Sequence, residues 1–272
     1  MSITETAYAK INLALHVRRR REDGYHELET LFAFVDTGDV LTARTAAQDS
    51  LTVTGEFAGA LDDPFGNIAA KALAKLPRAD GLALTLEKRL PVAAGLGGGS
   101  ADAGAVFRLI RERYGLPGDW RERAASLGAD VPACVESVAS IGRGTGTELS
   151  PVENDLAGTP VLLVNPRVPL PTGPVFAAWD GADAGPLAGT TAREIAESNG
   201  NDLERIVFER LRVEEALSAW NALADSGGFL TRMSGSGATS FALFETIEAR
   251  DRAAADIAAA NPGWWQMKGA LR

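Results

Sequence analysis

The chain carries one cysteine, Cys134, in 272 residues. No internal disulfide can staple it, which fits a reducing compartment. With two histidines, His16 and His26, beside that cysteine, a Cys/His metal cluster is excluded. No apolar run approaches the ~20 residues needed to cross a bilayer. The opening stretch, Met1-Ser-Ile-Thr-Glu5, lacks the basic segment and apolar core of a signal peptide, so a cytoplasmic protein is expected. Basic surface is scarce as well. The formal net charge is −9, and only five of the 27 basic residues are lysines: Lys10, Lys71, Lys75, Lys88 and Lys268. That weighs against a broad nucleic-acid or membrane surface but leaves room for a local basic pocket. The one basic run, Arg18-Arg19-Arg20-Arg21, is followed closely by acidic residues and reads as a solvated turn between strands. There is no internal repeat and no long low-complexity segment.

What is present is an ordinary globular balance, 46% hydrophobic and 23% charged, with length for one large domain or two modest ones. Lys10 to Val17 alternates, with Ile11, Leu13, Leu15 and Val17 on one side, as in a half-buried strand. A polar turn follows, ending in Asp23-Gly24. Extended segments at 25–36, 39–44, 51–54 and 81–87 predict a meander of antiparallel strands, interrupted by a helix that Asn67 can cap. Beyond residue 100 come a helix to Tyr114, a short one at 120–127, a turn at Gly128-Ala-Asp-Val-Pro132 leading into another helix, and an extended stretch at 139–147. Polar residues at 151–158 mark the best domain boundary. The remainder predicts a strand at 160–164, a stiff proline-rich loop at 166–174 and helices at 201–210 and 213–225. Strands at 229–233 and 239–244 flank a Ser234-Gly-Ser-Gly237 turn, before a helix at 247–260 and a last strand near 264–268. That order suggests a ferredoxin-like α+β layer.

The densest local signal is Pro91-Val-Ala-Ala-Gly-Leu-Gly-Gly-Gly-Ser-Ala101, with Gly95, Gly97, Gly98 and Gly99 inside five residues. Glycines let a ligand approach the backbone, and a helix opening behind them aims unpaired N–H groups and its positive dipole end at the loop. This is an anion cradle, most often for phosphate. The P-loop pattern fails because no lysine follows the glycines, and the dinucleotide pattern fails because residue 100 is serine and no βαβ repeat follows. A third pattern, P-x-x-x-G-L-G-x-x-S-[AS], fits through Pro91, Gly95, Leu96, Gly97, Ser100 and Ala101. A purely structural glycine turn is the alternative.

This loop resembles the phosphate-binding motif of the superfamily containing galactokinase, homoserine kinase, mevalonate kinase and phosphomevalonate kinase. The triple glycine narrows the resemblance to the 4-diphosphocytidyl-2-C-methyl-D-erythritol kinase family. Three further stretches agree: Ala7-Tyr-Ala-Lys-Ile-Asn-Leu13 with Asp23-Gly-Tyr-His26 downstream, Gly128-Ala-Asp-Val-Pro132, and Met233-Ser-Gly-Ser-Gly-Ala238. Tyr8 stands where the family has proline, which should alter turn stiffness near Lys10 without touching a reacting group. The resemblance implies an α+β protein of two domains, 1–153 and 154–272. The first would resemble ribosomal protein S5 domain 2 and the second would be ferredoxin-like, with the active site in the cleft between them. It implies transfer of the γ-phosphoryl of ATP to the 2-hydroxyl of a diphosphocytidyl methylerythritol in the non-mevalonate isoprenoid route, with Mg²⁺.

Residue by residue, the resemblance assigns the β- and γ-phosphates to Pro91, Gly95, Leu96, Gly97, Gly98, Gly99, Ser100 and Ala101, and makes Ser100 a candidate metal contact. It makes Asp130 the base, although Asp at that place also suits a helix N-cap. Lys10 would sit beside Asp130, favouring its ionised form, while a snorkelling strand lysine is the bland alternative. Tyr25 would stack on cytosine and His26 hydrogen-bond it, and Asn12 would bind substrate. Asn67 and Lys88 would contact the adenine side, where a helix cap and a strand end are equally good readings. Small molecules, not nucleic acid or membrane, are the expected partners.

Overall fold

The structure, a computed structural model, describes residues 2–60 and 66–272, which fall into two compact units. They interleave in sequence. The first holds the described parts of 2–10, 37–92 and 97–137, and the second holds 11–36, 93–96 and 138–272, so that 138–153 groups with the second. Two long strands run through both, β1 (Ile3–Arg20) and β2 (His26–Ala46). Both exceed expectation. The segments read as separate strands at 25–36 and 39–44 are one, because Gly38 lets β2 continue where a Cβ would lie 1.9 Å from the Ala7 carbonyl oxygen. β1 runs on through Arg20, leaving a turn of only five residues, 21–25, before β2.

In the first unit β3 (Ser50–Thr54) precedes α1 (Ile68–Lys75), which Asn67 caps by accepting from the Ala69 N–H at 2.9 Å, and β4 (Gly81–Glu87) follows. β4 pairs antiparallel with β2, Val40 opposite Glu87 and Ala46 opposite Gly81. It pairs parallel with β3, correcting the all-antiparallel expectation. The physical reason is α1, a helical crossover of the kind parallel neighbours require. Then come α2 (Gly98–Tyr114), α3 (Trp120–Ala125) and α4 (Val131–Glu136). Every residue of α2 from Ala101 to Ile110 is buried, and Arg111 and Arg113 in its last turn complement the helix dipole. Its small residues let α4 approach closely. Arg108 ties α2 to its neighbours, donating to the Glu5 carboxylate, the Thr6 and Cys134 carbonyls and the Ser137 hydroxyl.

In the second unit β5 (Ser140–Gly144) pairs antiparallel with residues 28–32 of β2 and with β6 (Glu148–Pro151), a short strand without a clear alternation in the sequence. Next are β7 (Pro160–Asn165), α5 (Thr172–Ala177), α6 (Ala192–Ser198), α7 (Asp202–Arg205, continued by a π-turn at 206–210), α8 (Glu214–Ala224), β8 (Leu230–Met233), β9 (Ser240–Leu243), α9 (Ile247–Ala260) and β10 (Trp265–Ala270). The second sheet runs β10-β7-β9-β8, all antiparallel, which is the expected ferredoxin-like order. One core joins Leu162, Val164, Leu223, Ala242, Phe244 and Ile257, placing α8 and α9 against the sheet. Burying each of these side chains larger than alanine stabilises by roughly 1.5–3 kcal/mol. The stiff loop expected at 166–174 ends early, because Thr172 to Ala177 is helical, opened by Pro171 at the N-cap position. α6 was missed although it carries a complete capping box, Thr191 with Glu194.

Gly104 of α2 measures how tight this packing is. A Cβ there would stand 2.5 Å from the Cys134 carbonyl oxygen and 2.6 Å from its carbon. Helix propensity favours alanine by about 1 kcal/mol, but backbone overlap costs about 1–3 kcal/mol or more and wins. Gly104→Ala is therefore expected to lower stability, seen as a lower urea midpoint; a midpoint equal to or above the parent's would refute the packing argument.

Candidate active site

In the first unit the site grows from the start of α2. Gly97 is the N-cap, in the left-handed region at φ 60°, ψ 24°, and no side chain caps the helix. The Gly97 carbonyl accepts from the Ala101 N–H at 2.8 Å, leaving the preceding N–H groups of a 17-residue helix to face outward from the loop. A Cβ on Gly97 would lie 3.0 Å from the Lys10 Cε and 3.7 Å from the Asp130 Oδ2. Lys10 and Asp130 are themselves paired, Nζ to Oδ2 at 3.1 Å, with the lysine side chain buried and the carboxylate 31% exposed. The structure thus brings Lys10, Asp130 and Gly97 together. Ser100 joins them, its Oγ 3.7 Å from where a Cβ on Gly128 would be, in the same turn that supplies Asp130.

Asp130 occupies the N-cap position of α4, yet its backbone is helical (φ −80°, ψ −12°) and its side chain caps nothing. The competing structural reading of this residue therefore fails, and its carboxylate is turned to Lys10. Asn67 does cap α1, and Ile68 beside it would lie 3.3 Å from a Cβ on Gly99.

Lys88 is buried and engaged twice, by Asp39 and, at 2.8 Å, by Asp102. Asp39 also accepts from the Arg89 and Leu90 N–H groups, fixing the strand that enters the loop. A Cβ on Gly98 would be 3.5 Å from the Lys88 Nζ, so this ion cluster lies directly beneath the loop. Burial pushes the Asp102 carboxyl up to about 8, with the Lys88 charge opposing and Asp39 reinforcing the rise. Burial lowers the Lys88 ammonium's pKa, but its two carboxylate partners outweigh that and leave it raised. Asp39 and Asp102 were not singled out from sequence. Their only signal is that a buried lysine needs partners.

In the second unit, Gly95 (φ 79°) passes so close to the Ser234–Gly237 turn that a Cβ would lie 2.1 Å from the Ser234 carbonyl oxygen. The Ser234 hydroxyl donates to the Gly95 carbonyl at 2.8 Å. The turn is held in place by Asn201, whose Nδ2 donates to the Met233 and Gly235 carbonyls, and by Glu204, which accepts from the Met233 N–H. Asn12 donates to the Thr30 hydroxyl at 2.8 Å, and its Oδ1 lies 3.2 Å from where a Cβ on Gly235 would be. Tyr25 is 66% exposed at the tip of the β1–β2 hairpin. His26 is 7% exposed and meets Phe176 (centroids 5.2 Å apart) and Trp179 (5.7 Å, edge to face). Phe176 lies in α5 and Trp179 two residues past it, both beyond the loop expected at 166–174, and no local pattern ties either to His26.

A long uncapped helix start behind a glycine loop, with a lysine–carboxylate pair against it, is the equipment of a small-molecule kinase. The model of the GHMP kinases N terminal domain matches residues 65–140, which contain the loop, α2 and α4. A 4-diphosphocytidyl-2-C-methyl-D-erythritol kinase from Novosphingobium aromaticivorans is 69% identical over the whole chain and 94% of its own length. One from Erythrobacter litoralis is 60% identical over 99% of this chain and all of its own. The crystal structure of a 4-(cytidine 5'-diphospho)-2C-methyl-D-erythritol kinase superposes with a TM-score of 0.81 at 32% identity, covering 99% of each chain. The chain belongs to the 4-diphosphocytidyl-2-C-methyl-D-erythritol kinase family.

The buried ion cluster has a pH consequence. Asp102 is raised from 3.8 to about 8, so the folded state holds a proton that the unfolded chain has lost. The stability this contributes is complete below 3.8 and is lost as pH rises through about 8. Denaturant melts of the parent and Asp102→Asn across that window should show the parent losing stability relative to the variant as pH rises. A pH-independent difference would remove the assignment.

Proposed function

We propose that Asp130 and Lys10 are the reacting pair of an ATP-dependent kinase that phosphorylates the 2-hydroxyl of 4-diphosphocytidyl-2-C-methyl-D-erythritol, a step toward isoprenoid precursors. The observation that carries this is the convergence of the Lys10–Asp130 pair on a side-chain-free residue 97 at an uncapped helix start. Phosphoryl transfer is mainly positioning and charge stabilisation. The N–H groups of Gly98, Gly99 and Ser100 hold the phosphates, with the loop from Pro91 to Ala101 shaping the cradle. Asp130 takes the proton from the substrate hydroxyl as its oxygen attacks the γ-phosphorus and the bond to the β-phosphate oxygen breaks, releasing ADP. Lys10, paired with Asp130 at 3.1 Å, orients it and offsets its negative charge beside the phosphates.

Oxygen donors suit a hard cation, and Ser100 supplies a hydroxyl at the cradle. Mg²⁺ is accordingly proposed to be held there by Ser100, with the nucleotide's own phosphate oxygens as its main ligands. When bound, it neutralises charge on the transferring group. Among the described residues no three His, Cys, Asp or Glu side chains form a cage for an ion, and a phosphate-bound Mg²⁺ needs none. Tyr25 stacks on cytosine, His26 reads its polar edge and Asn12 binds the alcohol. Asn67 combines its capping role with the adenine side through its Nδ2. Lys88, held between Asp39 and Asp102, supports the loop from beneath. A cytoplasmic location is proposed from the lone buried cysteine; among the described residues no helix is long and apolar enough to cross a membrane.

With ATP and a panel of alcohols (homoserine, mevalonate and the cytidylyl methylerythritol), ADP release is expected only with the last. Turnover with another alcohol alone would overturn the assignment. Asp130→Asn and Lys10→Ala should each lower kcat by about 10²- to 10⁴-fold while the circular dichroism melt stays near the parent's. Near-normal turnover in both would remove the mechanism. Tyr25→Ala should raise the KM of the cytidylyl substrate by roughly 5- to 100-fold, the worth of one stacked base, and Tyr25→Phe should restore it. An equal rise in the KM for ATP would count against stacking.

A further inference from the structure

The hairpin between β1 and β2 places Arg20, the last residue of β1, beside His26, the first of β2. The Arg20 Nε lies 3.4 Å from the His26 Nε2. A guanidinium has donors and no acceptor, so it can bond only to a ring nitrogen that carries a lone pair. Donation to Nε2 requires a neutral ring whose proton is on Nδ1. The same guanidinium donates from Nη2 to the Ala177 carbonyl at 3.0 Å. Ala177 ends α5, whose Phe176 packs on the His26 ring at 41°, while Trp179, two residues past α5, meets it edge-on at 86°. These two rings oppose rotation of the imidazole, so the nitrogens cannot easily exchange places. The four side chains form one unit: a cation that fixes the tautomer, anchored to the helix that carries the aromatic wall.

We propose that Arg20 is a positioning residue that holds the His26 imidazole in its Nδ1–H tautomer, so that the substrate's pyrimidine meets a hydrogen-bond donor. This rests on the reading of His26 as the residue that recognises cytosine. The N3 and O2 atoms of cytosine are acceptors, and an Nδ1–H matches either, whereas the opposite tautomer would present a lone pair to them. The arginine does not touch the base. Its effect passes through the imidazole alone, which distinguishes it from the neighbouring arginines. Arg18 is paired with Asp183 and Glu29, Arg19 with Glu27, and Arg21 with Asp23. Burial, followed by the Arg20 charge, holds the His26 pKa below its ordinary 6.5, in keeping with a neutral ring.

The test is the tautomer itself, read by nitrogen chemical shifts of ¹⁵N-histidine-labelled protein somewhat above neutral pH. The chain has only two histidines, so His26→Asn assigns the signal. In the parent, Nδ1 should resonate as protonated and Nε2 as bare. In Arg20→Ala the population should move toward Nε2–H, the form free imidazole prefers. The KM of the cytidylyl substrate should rise about five- to tenfold, the worth of one well-placed hydrogen bond, with a smaller change in kcat and in the KM for ATP. Arg20→Lys should recover part of both. A parent ring protonated on Nε2, or a tautomer that ignores Arg20→Ala, overturns the proposal. So does a shifted tautomer without a KM change while His26→Ala still raises that KM. If His26→Ala leaves the KM untouched, it is the recognition of cytosine by His26 that falls, and Arg20's role in specificity with it.

Discussion

The site depends on residue 97 having no side chain. Lys10 and Asp130 press against the backbone there so closely that even a Cβ would crowd the lysine stem. The consequences spread outward from that approach. The left-handed turn at Gly97 ends the loop and starts α2 in one step, leaving the helix uncapped and its first N–H groups unspent. The small residues that follow, Ala101, Ala103, Gly104 and Ala105, let α4 seat against α2. That seating carries Asp130, at the head of α4, to Lys10. A carboxylate next to the proposed phosphate cradle is electrostatically awkward. It is tolerable because a cation sits 3.1 Å from it and the positive end of a long helix faces the same place.

Beneath the loop a second arrangement of charge does different work. Lys88 with Asp39 and Asp102 places two carboxylates and one ammonium out of water, a combination that costs stability unless each group is closely engaged. Asp39 is engaged fully, by the lysine and by two backbone N–H groups of the strand end. Asp102 is engaged by one oxygen only, and burial drives it to retain a proton. The cluster therefore fixes the base of the loop while adding little net charge beneath it. In the second unit a comparable role falls to neutral and singly charged groups. Asn201 and Glu204 hold the Ser234–Gly237 turn by its backbone, and that turn receives Gly95.

The parts legible in the sequence were those whose physics is local. The glycine loop, the alternation of β1, the ferredoxin-like order of strands and helices, and α9 to the residue could all be read from spacing. The parallel pairing of β3 with β4 could not, because antiparallel and parallel strands of five residues share the same pattern and only the crossover decides. α5 is obscured by the prolines around it, and with it Phe176; Trp179, two residues past its end, has no local signal. α6 was legible in principle, since Thr191-Ala-Arg-Glu194 is a capping box. The partners of Lys88 were out of reach, as Asp39 and Asp102 lie 49 and 14 residues away in sequence and nothing local ties them to it.

Asp130 shows how local and long-range physics can compete at one residue. By position it is a helix cap, ahead of Val131 and Pro132, and an aspartate there would ordinarily spend an oxygen on the N–H groups of the first turn. Its helical backbone angles prevent this, because a capping side chain needs an extended cap residue to fold back over the helix. The carboxylate is thus left with Lys10 and solvent, and a lone pair bonded to a backbone N–H cannot also receive a proton. Proline at the start of α4 makes the loss inexpensive, since the first turn has one N–H fewer to satisfy. The sequence Gly-Ala-Asp-Val-Pro is then better understood as a way to begin a helix without capping it. It keeps an acidic side chain at the helix head, uncommitted to the backbone and paired with a lysine that arrives from the first strand.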